Sequence, residues 1–188
     1  MGLNYVSALG SIIARSGSKR LPYKNLLPYK GVPLVRKAVI QLVESNLFDK
    51  VVLSTDSELI ARTCMDIKDL SIIKRPAELA TDEVASIPVF QHIVQNFPCD
   101  LHLNYNCNFP ECPNEVFERA IELAQQTGES LSVPYAVWAQ TNSCLKNYGD
   151  PFKITAKTFD SKNIFPIDIH TMTDLIEMHR VNQAPFDW

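Results

Sequence analysis

The chain has 188 residues, enough for one domain with a sizeable buried core, and its 46% hydrophobic and 21% charged residues exclude a disordered chain. A net charge of −3 argues against a general nucleic-acid or anionic-membrane binder, so any anion site must be local. No apolar run approaches the roughly 18 residues of a membrane span. The N-terminus lacks a basic region ahead of its apolar stretch, and its loose acylation match (Met1, Gly2, Ser7) reads better as the approach to a first strand. Cys64, Cys99, Cys107, Cys112 and Cys144 form no Cys-x-x-Cys pair. They read as reduced thiols of a cytoplasmic protein rather than as zinc ligands or a disulfide framework.

Val6 to Ala14 is a mostly apolar run, predicted as a buried parallel strand that ends in a basic loop. Val35, Val39 and Leu42 recur at helical spacing after Pro33. "KVVLSTD" (50–56) is β-branched and predicts a second strand, followed by a helix from "SELIART" that Asp56 or Ser57 can cap. "LSIIK" (70–74) predicts a third strand, stopped by Pro76, and Ile87, Phe90, Val94 and Phe97 stripe the next helix. "LHLN" (101–104) is strand-like. Phe117, Ala120, Ile121 and Ala124 mark a helix that ends at Gly128. "SLSVPYAV" and "NIFPIDI" predict further strands, with loops or a hairpin between Trp138 and Asn163. Thr171 and Asp174 stand at capping-box spacing before a last helix. This alternation predicts an α/β fold whose mostly parallel sheet is covered on both faces, with ligands at the strand C-terminal ends.

The segment "IIARSGSKRLPYKN" places Arg15, Lys19, Arg20 and Lys24 beside Ser16, Gly17 and Ser18, directly after the first strand. Flexible backbone N–H donors and nearby cations suit a phosphate. The G-x-x-x-x-G-K-[ST] pattern fails here, because Gly17 is followed by Ser18, and G-x-G-x-x-G is absent. From charge alone, a solvated basic surface loop is an equal reading.

"IIARSGSKRLPYKNLLPYKGVPL" resembles the opening of the CMP-sialic acid synthetases, the acylneuraminate cytidylyltransferases. "LFDKVVLSTDSELIA" resembles their second strand and its helix, and "RPAELATDEVAS" their nucleotide-specificity segment. The resemblance implies a three-layer, Rossmann-like nucleotidyltransferase fold in a single domain over 1–188. It also implies a reaction in which a nonulosonic or related keto-sugar acid attacks the α-phosphate of CTP, releasing pyrophosphate. By position, Arg15, Ser18 and Lys24 would contact the phosphates and Asn25 the ribose or base, with Arg75, Ala85 and Ser86 beside the cytosine. Arg15, Lys24 and Asp168 would carry the chemistry, with a divalent cation.

The chain departs from that family in three places. The family's strand-end motif, close to Leu-Gln-Pro-Thr-Ser-Pro, is replaced by "LNYNCNFPECP" (103–113), where Asn104 and Asn106, with Asn108, could hydrogen-bond a sugar or simply form a polar turn. Between Val133 and Asp168 the chain is too short for the family's inserted dimerisation segment, so its usual exchanged dimer is not expected. Near the C-terminus, Asp-Ile-Asp becomes "DIHTMTDL": Asp168 is kept and His170 takes the second position. On a strand these two would share a face and one metal ion, Mg²⁺ by resemblance, with Mn²⁺ favoured by the imidazole. A backbone-bonded His170 is the equal alternative. His92, His102 and His179 read as structural or exposed, and Asp56 as a helix cap. These departures leave two further readings open: a nucleotide-binding homologue with little transferase activity, or a nucleotidyltransferase for another acceptor.

Overall fold

The computed structural model describes residues 6–148 and 156–182. Met1 and Gly2, with their loose acylation match, and part of the expected loop region after Trp138 lie outside the described residues. The sheet has seven strands: β1 (Ala8–Ile13), β4 (Lys50–Thr55), β5 (Leu70–Lys74), β6 (Leu101–Tyr105), β7 (Glu129–Val133), β8 (Val137–Thr141) and β9 (Lys157–Asp160). A separate two-residue hairpin joins β2 (Pro28–Tyr29) to β3 (Val32–Pro33). Lys30 and Gly31 turn it, at φ 50° and 75°, the paired positive angles that suit the twist of a tight hairpin.

Strand order in the sheet is β5-β4-β1-β6-β8-β7-β9. β1 pairs in parallel with β4 and β6, and β4 with β5, whereas β8 runs antiparallel to both β6 and β7. The sheet is therefore mostly parallel, as the alternation of elements predicts.

Side chains alternate across it as a period of two requires. On β1 and β4, Ala8, Ile12, Val51 and Leu53 face α1 (Leu34–Glu44) and α4 (Asn114–Thr127). Leu9 and Val52 face α3 (Ser86–Asn96) and α5 (Asn142–Lys146) on the opposite side. Phe90 and Phe117, one on each side, are fully buried. Burial of such a ring stabilises the fold by roughly 1.5–3 kcal/mol.

Gly128 ends α4 in the left-handed region at φ 88°, as its position predicts. Ser57, rather than Asp56, caps α2 (Glu58–Arg62) by accepting from the Ile60 N–H at 3.3 Å. The capping box is present at α6 (Met172–Val181), with Thr171 and Asp174 bonded reciprocally.

Two expected strands need correction. "SLSVPYAV" is the end of one strand and the start of another, because Pro134 breaks the ladder between β7 and β8. "NIFPIDI" forms no strand. Pro166 has no N–H to donate, and Ile164 and Ile169 bury in two different apolar clusters, so the segment bridges elements instead of pairing. Asp168 and His170 accordingly sit in a loop, and the same-face argument from a strand does not apply to them.

Candidate active site

At the C-terminal ends of β1 and β6 opens a cleft of about 520 Å³. It is bounded by the basic loop after β1, by Ser86 at the start of α3, and by the segment from Asn104 to Asn108. This is the edge where parallel strands of an open α/β sheet present ligands.

Local sequence holds the basic loop open. The Ser16 N–H and hydroxyl both donate to Asp56, at 2.8 and 2.6 Å, fastening the loop to the end of β4. Leu21 buries beside Tyr29 and Leu34 in the cluster under α6. Tyr23 turns the chain at φ 56° into the short 3₁₀ helix Lys24–Leu26. Asn25 is buried: its amide donates to the Arg15 carbonyl at 2.9 Å and accepts from the Cys107 thiol at 3.4 Å. Asn25 therefore clasps the two ends of the loop together, with both ends of its amide already in use.

The cations so displayed meet two kinds of partner. Arg15 and Lys19 both pair with Asp82, Lys19 at 2.6 Å. Lys19 and Arg15 together hold that carboxyl below the usual carboxylate range. Lys24 donates to Asn108 at 2.5 Å, and its burial pushes the ammonium pKa down, favouring a bound anion as compensation.

A continuous chain of contacts then crosses the cleft wall. Asn108 donates to Asp168 Oδ1 at 2.9 Å, and His170 Nε2 lies 2.8 Å from Asp168 Oδ2. Arg20 stands 2.7 Å from His170 Nδ1. A guanidinium only donates, so Nδ1 accepts and the ring proton sits on Nε2, facing Asp168.

Of the residues predicted for the site, Arg15, Ser18, Lys24, Asn25, Ser86 and Asn104 line the cleft, as do Asn106 and His170. Three are placed elsewhere. Arg75 is buried behind the cleft, donating to the Ser54 carbonyl at 2.8 Å and the Ser54 hydroxyl at 3.3 Å; burial pushes its pKa down to about 10. Ala85 is the exposed residue preceding α3. Asp168 stands behind His170, one bond from the cleft wall.

Four lining residues, Ile13, Asp82, Cys107 and Tyr135, are not among those predicted for the site, and two of them bear on its chemistry. Asp82 lies inside "RPAELATDEVAS" (75–86), the segment that resembles the family's nucleotide-specificity stretch, and that position is a usable signal. Tyr135 gave none, since nothing in "VPYAV" says which way its ring turns. Its side chain lines the cleft with Ser86 and Asn104, and burial pushes its pKa up to about 12.

Among the described residues, no group of three or more His, Cys, Asp or Glu side chains gathers as a metal cluster. The donor set fits a hard divalent cation that brings most of its own shell: one partly exposed carboxylate, Asp168, beside a cleft lined with cations. His170 presents no free nitrogen in this arrangement; it braces Asp168 and receives Arg20.

The family model described as cytidylyltransferase matches residues 10–164. The chain belongs to the cytidylyltransferase family. Within that family it is similar to an N-acylneuraminate cytidylyltransferase of Streptococcus agalactiae, 38% identical over 88 residues, which are 46% of this chain and 21% of that protein. It is also similar to a pseudaminic acid cytidylyltransferase of Campylobacter jejuni, 34% identical over 84 residues, 45% of this chain and 36% of that one. The chain thus matches about a fifth to a third of the length of these curated relatives. A CMP:2-keto-3-deoxy-manno-octonic acid synthetase solved with CTP shares the fold at a TM-score of 0.78 and 14% identity, over 95% of this chain and 100% of that one. A Mycobacterium tuberculosis protein solved with manganese does so at 0.61 and 15%, over 92% and 97%. The nucleotidyltransferase fold expected of this cytidylyltransferase is the one observed.

Proposed function

We propose that this cytidylyltransferase transfers CMP from CTP to a nonulosonic or related keto-sugar acid and releases pyrophosphate. The observation that carries the proposal is the convergence of Arg15, Lys19, Arg20 and Lys24 on one cleft with a polar, asparagine-lined floor. Phosphoryl transfer depends on positioning and on cancelling charge, and guanidinium and ammonium groups supply both.

In this reading Arg15 and Lys19 leave Asp82 for the phosphates, Ser18 donates from the loop, and Lys24 holds an anionic oxygen against the cleft wall. Ser86 borders the base, and Asn104 and Asn106 orient the acceptor so that its hydroxyl faces the α-phosphate. Asp168 would hold a divalent cation, which when bound neutralises phosphate charge. His170 keeps Asp168 turned toward it. Asn25 and Arg75 support the loop and the strand end rather than touching the nucleotide. The proposed unit is a single domain. It lacks room between Val133 and Asp168 for the family's inserted dimerisation segment, so it works without the exchanged dimer.

A second reading, nucleotide binding with little transfer, is favoured by one observation: both oxygens of Asp168 are already bonded, to Asn108 and His170. Pyrophosphate release from CTP separates the two. It is measured against a panel of nonulosonic and octulosonic acids, with Mg²⁺ and Mn²⁺ in parallel, for the native chain and His170→Asp. Release by the native chain establishes the transferase and names the acceptor. Silence from both proteins despite CTP binding favours the second reading, and silence rescued by His170→Asp places the lost step at Asp168.

A further inference from the structure

Running from the cleft floor into the core is a row of buried polar side chains of which the proposed reaction uses only Asn104. Register places them side by side on adjacent strands: Ser11 of β1 opposite Asn104 of β6, and His102 of β6 opposite Gln140 of β8. All are at most 1% exposed, and His102 packs on the ring of Phe90, 4.8 Å away, which in turn meets Trp138 edge-on. Ser11 Oγ is 2.8 Å from His102 Nε2 and 3.3 Å from Asn104 Oδ1, and His102 Nδ1 is 3.1 Å from Gln140 Oε1. Gln140 Nε2 is buried with no hydrogen-bond partner.

A polar row in an apolar layer is tolerated only when its members satisfy one another. A hydroxyl carries one proton and a neutral imidazole carries one, so the bonds must all run in the same direction. With the His102 proton on Nε2, His102 donates to Ser11 and Ser11 donates to Asn104 Oδ1. The Gln140 amide, turned end for end, then gives its orphaned NH₂ to Nδ1. The reverse direction leaves that NH₂ bare in the core, and a bare buried N–H is rarer than an under-used carbonyl.

We infer that Ser11 and His102 are positioning residues that hold the Asn104 amide with its NH₂ toward the cleft, so that the floor there offers only donors and takes an acceptor oxygen of the ligand. Tyr135 lines the same cleft as Asn104 and Ser86. The Asn104 NH₂ and the Tyr135 hydroxyl proton then both serve the ligand. Two convergent donors fit a carboxylate. Identifying it as the carboxylate of the keto-sugar acid rests on the proposed function; the direction of the relay does not.

The test has two arms. Nitrogen-15 spectra of the His102 ring in the intact protein read the tautomer directly. The expected state is Nε2–H, and an Nδ1–H ring overturns the inference whatever the enzyme does. The second arm is steady-state pyrophosphate release by Ser11→Ala, which breaks the relay, and by Gln140→Glu, whose carboxylate accepts only and draws the proton to Nδ1. Both are expected to raise the acceptor KM roughly tenfold, the scale of one lost directed hydrogen bond, with the CTP KM within about twofold of the parent. Gln140→Glu, folded and with its tautomer reversed but its acceptor KM unchanged, would uncouple the relay from the cleft. If the native chain turns over no acceptor at all, the proposed function fails while the spectra still decide the relay.

Discussion

Arg15 and Asp82 define the site most directly. Arg15→Ala is expected to weaken CTP binding more than tenfold, about 1.4 kcal/mol or more for a lost charge-assisted contact, measured by calorimetric titration. Asp82→Asn should act in the opposite direction. It removes the carboxylate that Arg15 and Lys19 must leave, so pyrophosphate should bind roughly threefold tighter or more, within the range typical of partly exposed ion pairs. Equal affinity would mean that Asp82 does not compete with the ligand. His102 carries the pH dependence. Burial pushes its pKa down to about 4, against 6.5 when exposed. The unfolded chain therefore binds the extra proton first, and stability is full above pH 6.5 and lost as pH falls toward 4. The loss is about 2 kcal/mol by pH 5, read from urea midpoints, and His102→Gln should flatten that part of the profile. At this scale the sequence was legible where chemistry is dense. Asp168 came with the family resemblance and stands in a loop behind His170, whereas the cations of the basic loop and Asn104, which line the cleft, follow from residue type and position. The inward turn of Arg75 and the outward turn of Tyr135 do not, because both depend on packing between distant segments.

At the scale of elements, strands with a strong apolar signal were legible nearly to the residue, as with "LSIIK" and β5. β9 was not, because its residues are largely exposed and polar, and "NIFPIDI" misled because an apolar run broken by Pro166 can bury without pairing. The capping box was legible from spacing alone and has a consequence for the site. Asp174 accepts from the backbone N–H groups of both His170 and Thr171, at 2.9 and 2.7 Å. Thr171→Ala should cost about 1 kcal/mol of stability, as lost N-caps do, read from the thermal midpoint. Asp174 frees two donors when replaced by Ala and also loosens the loop that carries Asp168. Its removal should lower kcat for pyrophosphate release more than Thr171→Ala does at matched stability.

For the whole molecule, binding and folding are linked. CTP at about a hundred times its Kd should stabilise the protein by about 2.7 kcal/mol, raising the thermal midpoint by roughly 5–10 °C for a chain of this length. A chelator should reduce that rise to roughly half or less if Asp168 and the phosphates share a cation, and leave it unchanged if they do not. The order of the strands adds a kinetic consequence. β1, which delivers the basic loop, pairs with β4 on one side and with β6, far later in the chain, on the other; Leu9 meets Lys50 and Ala8 meets Leu101. The cleft floor further requires Tyr135, beyond α4. Contacts so distant along the chain close late and slowly. During refolding, the capacity to bind nucleotide should emerge in the last phase, after helix has formed, and a chain still emerging from the ribosome cannot hold CTP until its β6–β8 region has joined the sheet.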